Sequence, residues 1–167
     1  MQLIPKPVTP APIEAETLKQ VISATHRSNN KLAAAWGLNY HTAGHRIASP
    51  TTLKLGELFT LADILHLEAV DLLAVIGLES RQVRPVQPVP VVANTLAGII
   101  ESDGRSYFKL AREWKIDSRT ALRRAALPDT LLVRELFALA RLLQVQAADI
   151  LRVIHQQLRR APRSAAQ

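Results

Sequence analysis

The sequence predicts an all-α protein made of two tandem five-helix domains. Displaced by 78 positions, the chain aligns with itself without a gap from Leu18/Leu96 to Ile76/Ile154. Within each copy, apolar residues recur at helical spacing and strand patterns are scarce. Each copy has roughly 60 residues, which is close to the lower limit for independent folding. The repeat period of 78 residues is also too long for a solenoid repeat of two helices. The chain therefore reads as a duplicated domain.

Proline-rich segments predict where the domains begin and end. We expect a proline-rich tail over 1–16, a first domain over 17–78, a linker over 79–94, a second domain over 95–160 and a disordered tail over 161–167. An extended polyproline-like linker rises about 3.1 Å per residue, so the two domains could lie one turn of B-DNA apart. The alternative is that VPVVA in the linker is a short strand or a packed strap.

Five helices follow in the same order in each copy. The first is amphipathic and starts at Leu18 or Leu96. Ser28 and Ser106 are suitable N-caps for the second, NNKLAAAW and YFKLAREW. The third helix follows a short turn and is capped by Asn39 or Asp117. It runs through YHTAGHRI in the first copy and SRTALRRA in the second. Leucine-rich segments after it predict the fourth and fifth helices.

Composition and charge limit the classes of function. Cysteine is absent, which excludes disulfides and thiolate metal sites. No transmembrane segment is expected, and prolines interrupt the N-terminal stretch where a signal peptide would be apolar. We therefore expect a cytoplasmic, nucleoid-associated protein. Residues 18–78 carry five Lys/Arg against four Asp/Glu, whereas residues 96–160 carry twelve against seven. The basic second copy suits a polyanionic partner.

Helices two and three resemble the helix-turn-helix of lambda-repressor-like (Cro/XRE-type) DNA-binding domains. The resemblance rests on KLAAAWGLNYHTAGHRI and KLAREWKIDSRTALRRA, and it extends over almost all of each copy. Each copy has the family's features in the family's order: Leu-Ala on helix two, an apolar Trp that closes this helix, a turn, an aliphatic residue and a polar cap. This resemblance implies two tandem five-helix domains of that fold, each with helix three as a recognition helix.

Four kinds of position depart from the family pattern. Lys115 replaces the turn glycine, so we expect that turn to be built differently. Arginine stands where the family usually has an apolar residue (Arg46 and Arg124), and leucine where proline is frequent (Leu53 and Leu131). A helix-interior glycine, at position 44, should weaken the first recognition helix by about 1 kcal/mol relative to alanine.

The outward positions of helix three carry the case for double-stranded DNA as the partner. A helix fits the major groove, and arginine there can bind guanine in a bidentate manner. Residues expected to face DNA are Ser118, Arg119, Leu122 and Arg123 in the second copy and Tyr40, His41, Gly44 and His45 in the first. Asn29 and Tyr107, at the start of helix two, match the family's phosphate-anchoring place. The alternative is a solvated basic face.

Arg46 and Arg124 persist in both copies together with Glu57 and Glu135. One interpretation is a phosphate contact at the end of the recognition helix. The favoured one is a structural ion pair that holds helix three to helix four, since a buried arginine needs such a partner.

His41 and His45 have the i, i+4 spacing of metal ligands, but no cysteine or neighbouring acidic residue completes a site. We expect them to face solvent or DNA, where protonation would strengthen binding at lower pH. No cofactor, metal or small-molecule substrate is evident. Without a phosphate loop, a nucleophile with its base or a carboxylate cluster, the chain is not expected to be an enzyme.

Two hypotheses remain open. In the first, the protein is a sequence-specific DNA-binding regulator, repressor-like, whose domains form an intramolecular pseudo-dimer or assemble further as a homodimer. Because the recognition helices differ, the half-sites should differ. In the second, the fold serves as a protein-interaction or dimerisation module, in which the second copy alone binds nucleic acid or neither copy does.

Overall fold

The computed structural model describes residues 15–25 and 28–161, and within them the all-α class is confirmed. The expected N-terminal tail falls mostly, and the C-terminal tail almost wholly, outside the described residues. Two sets of five α-helices follow one another in the same order. The first set is α1 (Leu18–Ala24), α2 (Asn29–Trp36), α3 (Tyr40–Ala48), α4 (Leu55–Leu65) and α5 (Ala69–Glu79). The second is α6 (Leu96–Ser102), α7 (Tyr107–Trp114), α8 (Ser118–Ala126), α9 (Val133–Leu143) and α10 (Ala147–Arg160).

Polar side chains fix where the second and third helices of each set begin. The Ser28 hydroxyl accepts a hydrogen bond from the Lys31 N–H at 3.3 Å, and Ser106 does the same for Lys109. Asn39 caps α3 through the Thr42 N–H at 2.8 Å. Each cap satisfies a helix donor that has no partner within the helix. These local bonds explain why both helix pairs start where the sequence predicts.

The turn between α7 and α8 corrects one expectation. Gly37 closes α2 with φ = 75°, in the left-handed region, and Lys115 closes α7 with φ = 62°. The residue after each turn donates its N–H to the same helical carbonyl, Leu38 to Ala33 and Ile116 to Ala111. The expectation of a differently built turn was therefore wrong. The capping bonds and the burial of the flanking helices hold lysine in a conformation that costs a side chain about 1–2 kcal/mol.

A tryptophan joins the second helix of each set to the fourth. Trp36 and Trp114 are buried, and their indole N–H groups donate to the carbonyls of Glu57 and Glu135, both at 2.9 Å. A buried indole requires such an acceptor. The tryptophans are therefore core anchors, and they fix α4 and α9 against the helix pairs in the same way.

A long-range hydrogen bond closes each set. The Leu18 N–H, at the start of α1, donates to the Glu79 side chain at 3.1 Å. The Leu96 N–H, at the start of α6, donates to the Gln157 side chain at 3.0 Å. Glu79 and Gln157 are equivalent positions of the two copies, so the same bond is made twice. The first and last helices of each set are thus tied together.

The two sets meet in an antiparallel pairing of three-residue segments just before α4 and α9. The Leu55 N–H donates to the Leu131 carbonyl, and the Val133 N–H donates to the Leu53 carbonyl, both at 2.8 Å. Lys54 lies opposite Leu132, which is its own equivalent in the second copy. Equivalent residues face each other only around a twofold axis. The contact between the sets is therefore pseudo-twofold and isologous in form.

Helix packing across this axis follows the same symmetry. The principal pairs of elements are α5 with α10, α4 with the 3-10 turn at 128–130, and α9 with the 3-10 turn at 50–52. The helices α3 and α8 are not among these pairs. Both expected recognition helices therefore remain outside the principal contact between the sets.

The linker between α5 and α6 is packed at several points. The Val89 N–H donates to the Gln144 carbonyl at 2.8 Å, and Val91 and Ala93 lie half-buried against the core. Val86 and Val92 are almost fully exposed. The segment is thus held at Val89, Val91 and Ala93, whereas most of its other residues are exposed.

Candidate nucleic-acid interface

Helix α8 presents two arginines one turn apart. Ala121 and Ala125 face the core, so Arg119, Leu122 and Arg123 project from the opposite side and are exposed. Among the described residues, no carboxylate lies within ion-pair distance of either of these arginines. Two such guanidinium groups on one helix face are suited to a base edge and a neighbouring phosphate.

Ser118 differs from the expectation because it is half-buried rather than exposed. It is the first residue of α8. Helical side chains point back towards the preceding turn. That turn contains Ile116, which packs against the core.

Helix α3 presents a different surface at the same positions. Tyr40, His41, Gly44 and His45 are all exposed, and Ala43 is the buried residue of the helix. The Tyr40 and His41 rings meet edge to face with centroids 5.9 Å apart. The first copy thus offers aromatic and imidazole groups where the second offers two arginines.

The starts of α2 and α7 also differ. Asn29 is exposed at the first position of α2, whereas Tyr107 is half-buried at the first position of α7 and packs against the core. Burial, and secondarily the charge of Glu101, raise the pKa of the Tyr107 phenol. A phenol hydroxyl at this position could donate a hydrogen bond to a phosphate oxygen.

Exposed cations accumulate on α7, the following turn and α8. The second copy has five at Lys109, Arg112, Lys115, Arg119 and Arg123. The equivalent positions in the first copy hold Lys31, Ala34, Gly37, His41 and His45, of which only the lysine carries a permanent charge. The excess positive charge of the second copy is thus concentrated on its helix-turn-helix segment.

Asp117 is the one acidic group at the start of α8. Its carboxylate accepts from the Thr120 hydroxyl at 2.6 Å and from the Thr120 N–H at 2.9 Å. These hydrogen bonds lower the pKa of Asp117, although its side chain is exposed. The carboxylate is engaged in capping the helix, and both of the exposed arginines lie beyond it on α8.

The third helix of each set is joined to the fourth by an arginine and a glutamate. The Arg124 Nε donates to Glu135 Oε2 at 2.9 Å, and Arg46 Nε lies 3.1 Å from Glu57 Oε2. Each glutamate also accepts a backbone N–H at the start of its own helix, from Leu132 at 2.9 Å in the second set. Glu135 is 8% exposed and is the one buried charged residue of the described core. These contacts are those of a structural ion pair.

The described part of the chain holds no cluster of three or more His, Asp or Glu residues that could bind a metal ion. His41 and His45 accordingly have no third ligand there. No described helix is long and apolar enough to cross a membrane.

Sequence reasoning missed the residues that join the two sets. Leu53 and Leu55 are fully buried on either side of exposed Lys54, and this alternation has the period of a strand. This alternating pattern is only three residues long and lies within a helical sequence. The same residues are equally compatible with the start of a helix. The partner of this segment lies in the other copy, so no local pattern reveals the pairing.

Comparison of the chain with protein-family models, with curated proteins and with solved structures gives no match.

Proposed function

We propose that this protein binds double-stranded DNA in a sequence-specific manner and acts as a repressor-like transcriptional regulator. In this proposal α1–α5 and α6–α10 are two tandem lambda-repressor-like domains, with α3 and α8 as their recognition helices. The observation that carries the proposal is the pair of exposed arginines on α8, at positions 119 and 123, which have no ion-pair partner among the described residues. They project from a helix that is capped, buried on its other face and packed against α7.

The repeated geometry supports a bipartite site. Helices α3 and α8 follow equivalent left-handed turns, at Gly37 and Lys115, and both lie outside the principal contact between the sets. A protein with twofold symmetry binds two half-sites about one helical turn apart. The pseudo-twofold pairing through Leu53–Leu55 and Leu131–Val133 would let one chain act as an intramolecular dimer. Since α3 and α8 expose different side chains, the two half-sites should differ in sequence.

The decisive experiment is selection of duplexes from a random library, followed by measurement of affinity at several salt concentrations. We expect one bipartite sequence with unequal halves. The logarithm of the affinity should fall with the logarithm of the salt concentration, with a slope of about −0.9 for each phosphate contact that the protein makes. Equal affinity for the selected duplex and for random duplexes at physiological salt would refute sequence-specific binding. A steep salt slope without sequence preference would indicate backbone binding alone.

Substitutions identify which side chains contact the DNA. Arg119→Ala and Arg123→Ala should each weaken the selected complex by about 1–3 kcal/mol and relax the preference at one base pair. Arg134→Ala, which removes an exposed arginine from α9, is the matched control and should change affinity little. The same loss in all three variants would show that net charge, rather than the α8 face, determines binding.

The paired variant His41→Gln/His45→Gln tests the first copy. If α3 reads DNA, this variant should relax the preference in the second half-site. An unchanged selected sequence would leave DNA reading to α8 alone.

A protein-interaction module is the second candidate, and one observation favours it. Phe108 on α7 is 72% exposed, and Leu122 and Leu127 are about half exposed on and after α8. A contiguous patch of exposed apolar groups is typical of protein contact surfaces, and this candidate requires these three side chains to form one. Sedimentation of the wild type and of Phe108→Ser should show the same oligomeric state if these exposed side chains are not a protein contact surface. A concentration-dependent dimer that Phe108→Ser abolishes would favour the second candidate.

A further inference from the structure

A cavity of about 320 Å³ lies on one side of the contact between the two sets. Pockets for small organic ligands begin at about this volume. One wall is formed by α5 and the first linker residues, and the other by α9 and the start of α10. The apolar lining includes Val70, Leu73, Gly77 and Phe137, and the polar lining includes Arg81, Arg84 and Arg141.

The cavity exists because the two sides of the pseudo-twofold contact are not filled alike. On the other side, the His155 ring stacks on Phe59 with centroids 4.6 Å apart and an interplanar angle of 18°. The equivalents of these residues are Gly77 and Phe137. A Cβ built on Gly77 would lie 3.4 Å from Cζ of Phe137, so the Phe137 ring stands directly beside this side-chain-free position. The His155 ring on one side thus has no side-chain counterpart on the other, where Gly77 and Phe137 both line the cavity.

The open side is also strongly positive. Arg81, Arg84 and Arg141 line it, and its described lining contains no Asp or Glu. Among the described residues, none of these three arginines lies in an ion pair. The residue equivalent to Arg141 on the closed side is Asp63, so this concentration of charge belongs to the open side alone. Guanidinium groups bind carboxylates in a planar, bidentate geometry.

We propose that this cavity is a binding site for a small aromatic carboxylate. The ring of the ligand would occupy the space beside Gly77 and against Phe137, as the His155 ring does beside Phe59. The carboxylate would accept hydrogen bonds from the arginines at the rim. This ligand complements both the apolar floor and the positive charge of the rim, and it contacts both sets of helices at once.

The test is calorimetric titration of the full chain with 2-naphthoate and, as the neutral control of equal shape, 2-naphthamide. We expect one naphthoate site per chain and an affinity for the amide that is lower by about tenfold or more, because a charge-assisted hydrogen bond is lost. No saturable binding of naphthoate, or equal affinity for the amide, would overturn the proposal. The titration contains no DNA, so its result is independent of the proposed function.

Variants locate the site. Gly77→His should fill the cavity as His155 fills the other side, and it should reduce naphthoate affinity by about tenfold or more. Arg84→Gln and Arg141→Gln, which are surface changes, should each weaken naphthoate binding and leave naphthamide binding unchanged. Arg159→Gln is the matched control, since Arg159 is an exposed arginine at the position equivalent to Arg81 on the closed side. Naphthoate binding that survives both arginine changes would refute this location.

Discussion

Breaking the Arg124–Glu135 pair should destabilise the protein measurably, and the structure sets the size of the effect. Arg124→Met leaves the Glu135 carboxylate, in a residue that is 8% exposed, with the Leu132 N–H as its remaining close donor among the described residues. Removing one partner of a fully buried pair costs about 3–5 kcal/mol. The Arg124 side chain is 17% exposed, so water reaches part of the site. We therefore expect a loss of about 2–3 kcal/mol in the free energy of unfolding, at or below the lower limit of that range.

A double-mutant cycle isolates the interaction between the two side chains. Glu135→Gln removes the charge but keeps an oxygen that can accept from the Leu132 N–H, because glutamine also serves in a capping box. Urea denaturation of the wild type, the two single variants and Arg124→Met/Glu135→Gln should give a coupling energy of about 1–2 kcal/mol. The same cycle on Arg46 and Glu57 should give a smaller value, since those side chains are 22% and 14% exposed.

The cycle also separates the two interpretations of these arginines. If Arg124 contacts a phosphate instead, Arg124→Met should leave the unfolding free energy nearly unchanged. It should then reduce the salt slope of DNA binding by about one unit. A coupling energy below about 0.3 kcal/mol, together with such a change in slope, would refute the structural interpretation.

Three further outcomes are expected, each measured as the free energy of unfolding in urea. Lys115→Gly should stabilise the protein by about 0.5–1 kcal/mol because it relieves a left-handed side chain, whereas Gly37→Lys should destabilise it by a similar amount; effects of the same sign would contradict this. Gly44→Ala should add about 1 kcal/mol, since a Cβ at Gly44 meets nothing within 4 Å. Because the folded pKa of Asp117 is lowered, its stabilising contribution is complete above the ordinary aspartate pKa and is lost as the pH falls through the folded value. Asp117→Asn should therefore flatten the acid limb of the stability profile, and an unchanged limb would count against the cap.

Local chemistry explains why the helix starts could be predicted. Ser28, Ser106, Asn39 and Asp117 all cap the helices assigned to them, through bonds that join residues close together in the chain. Such interactions depend on the neighbouring sequence alone. The apolar spacing within each copy likewise predicted the all-α class, because helical burial has a period that short windows reveal.

Other features depend on packing energies or on contacts between residues far apart in the chain, and a short stretch of sequence does not reveal these. Lys115 was expected to change its turn, but propensity at one residue yields when the flanking helices are buried and capped. The pairing through Lys54 and Leu132 joins segments that belong to different copies and lie far apart in the chain. The duplication supplied part of the missing information, since Arg124 and Glu135 recur together as Arg46 and Glu57, and the structure has both pairs in contact.

Two features of this chain break the symmetry of its framework: the outward faces of α3 and α8, and the unequal sides of the contact at Gly77 and His155. The backbone pairing at Lys54 and Leu132 places equivalent residues opposite each other, so the scaffold alone would present identical surfaces on both sides. Identical copies on separate chains would have to change together. Duplication within one chain frees each copy to change alone, and the changes are found on the outward faces of α3 and α8 and at Gly77 and His155 on the contact between the sets. Under the proposed function, a single chain with unequal copies would suit a DNA site with unequal halves, which a homodimer of either copy could not match on both sides.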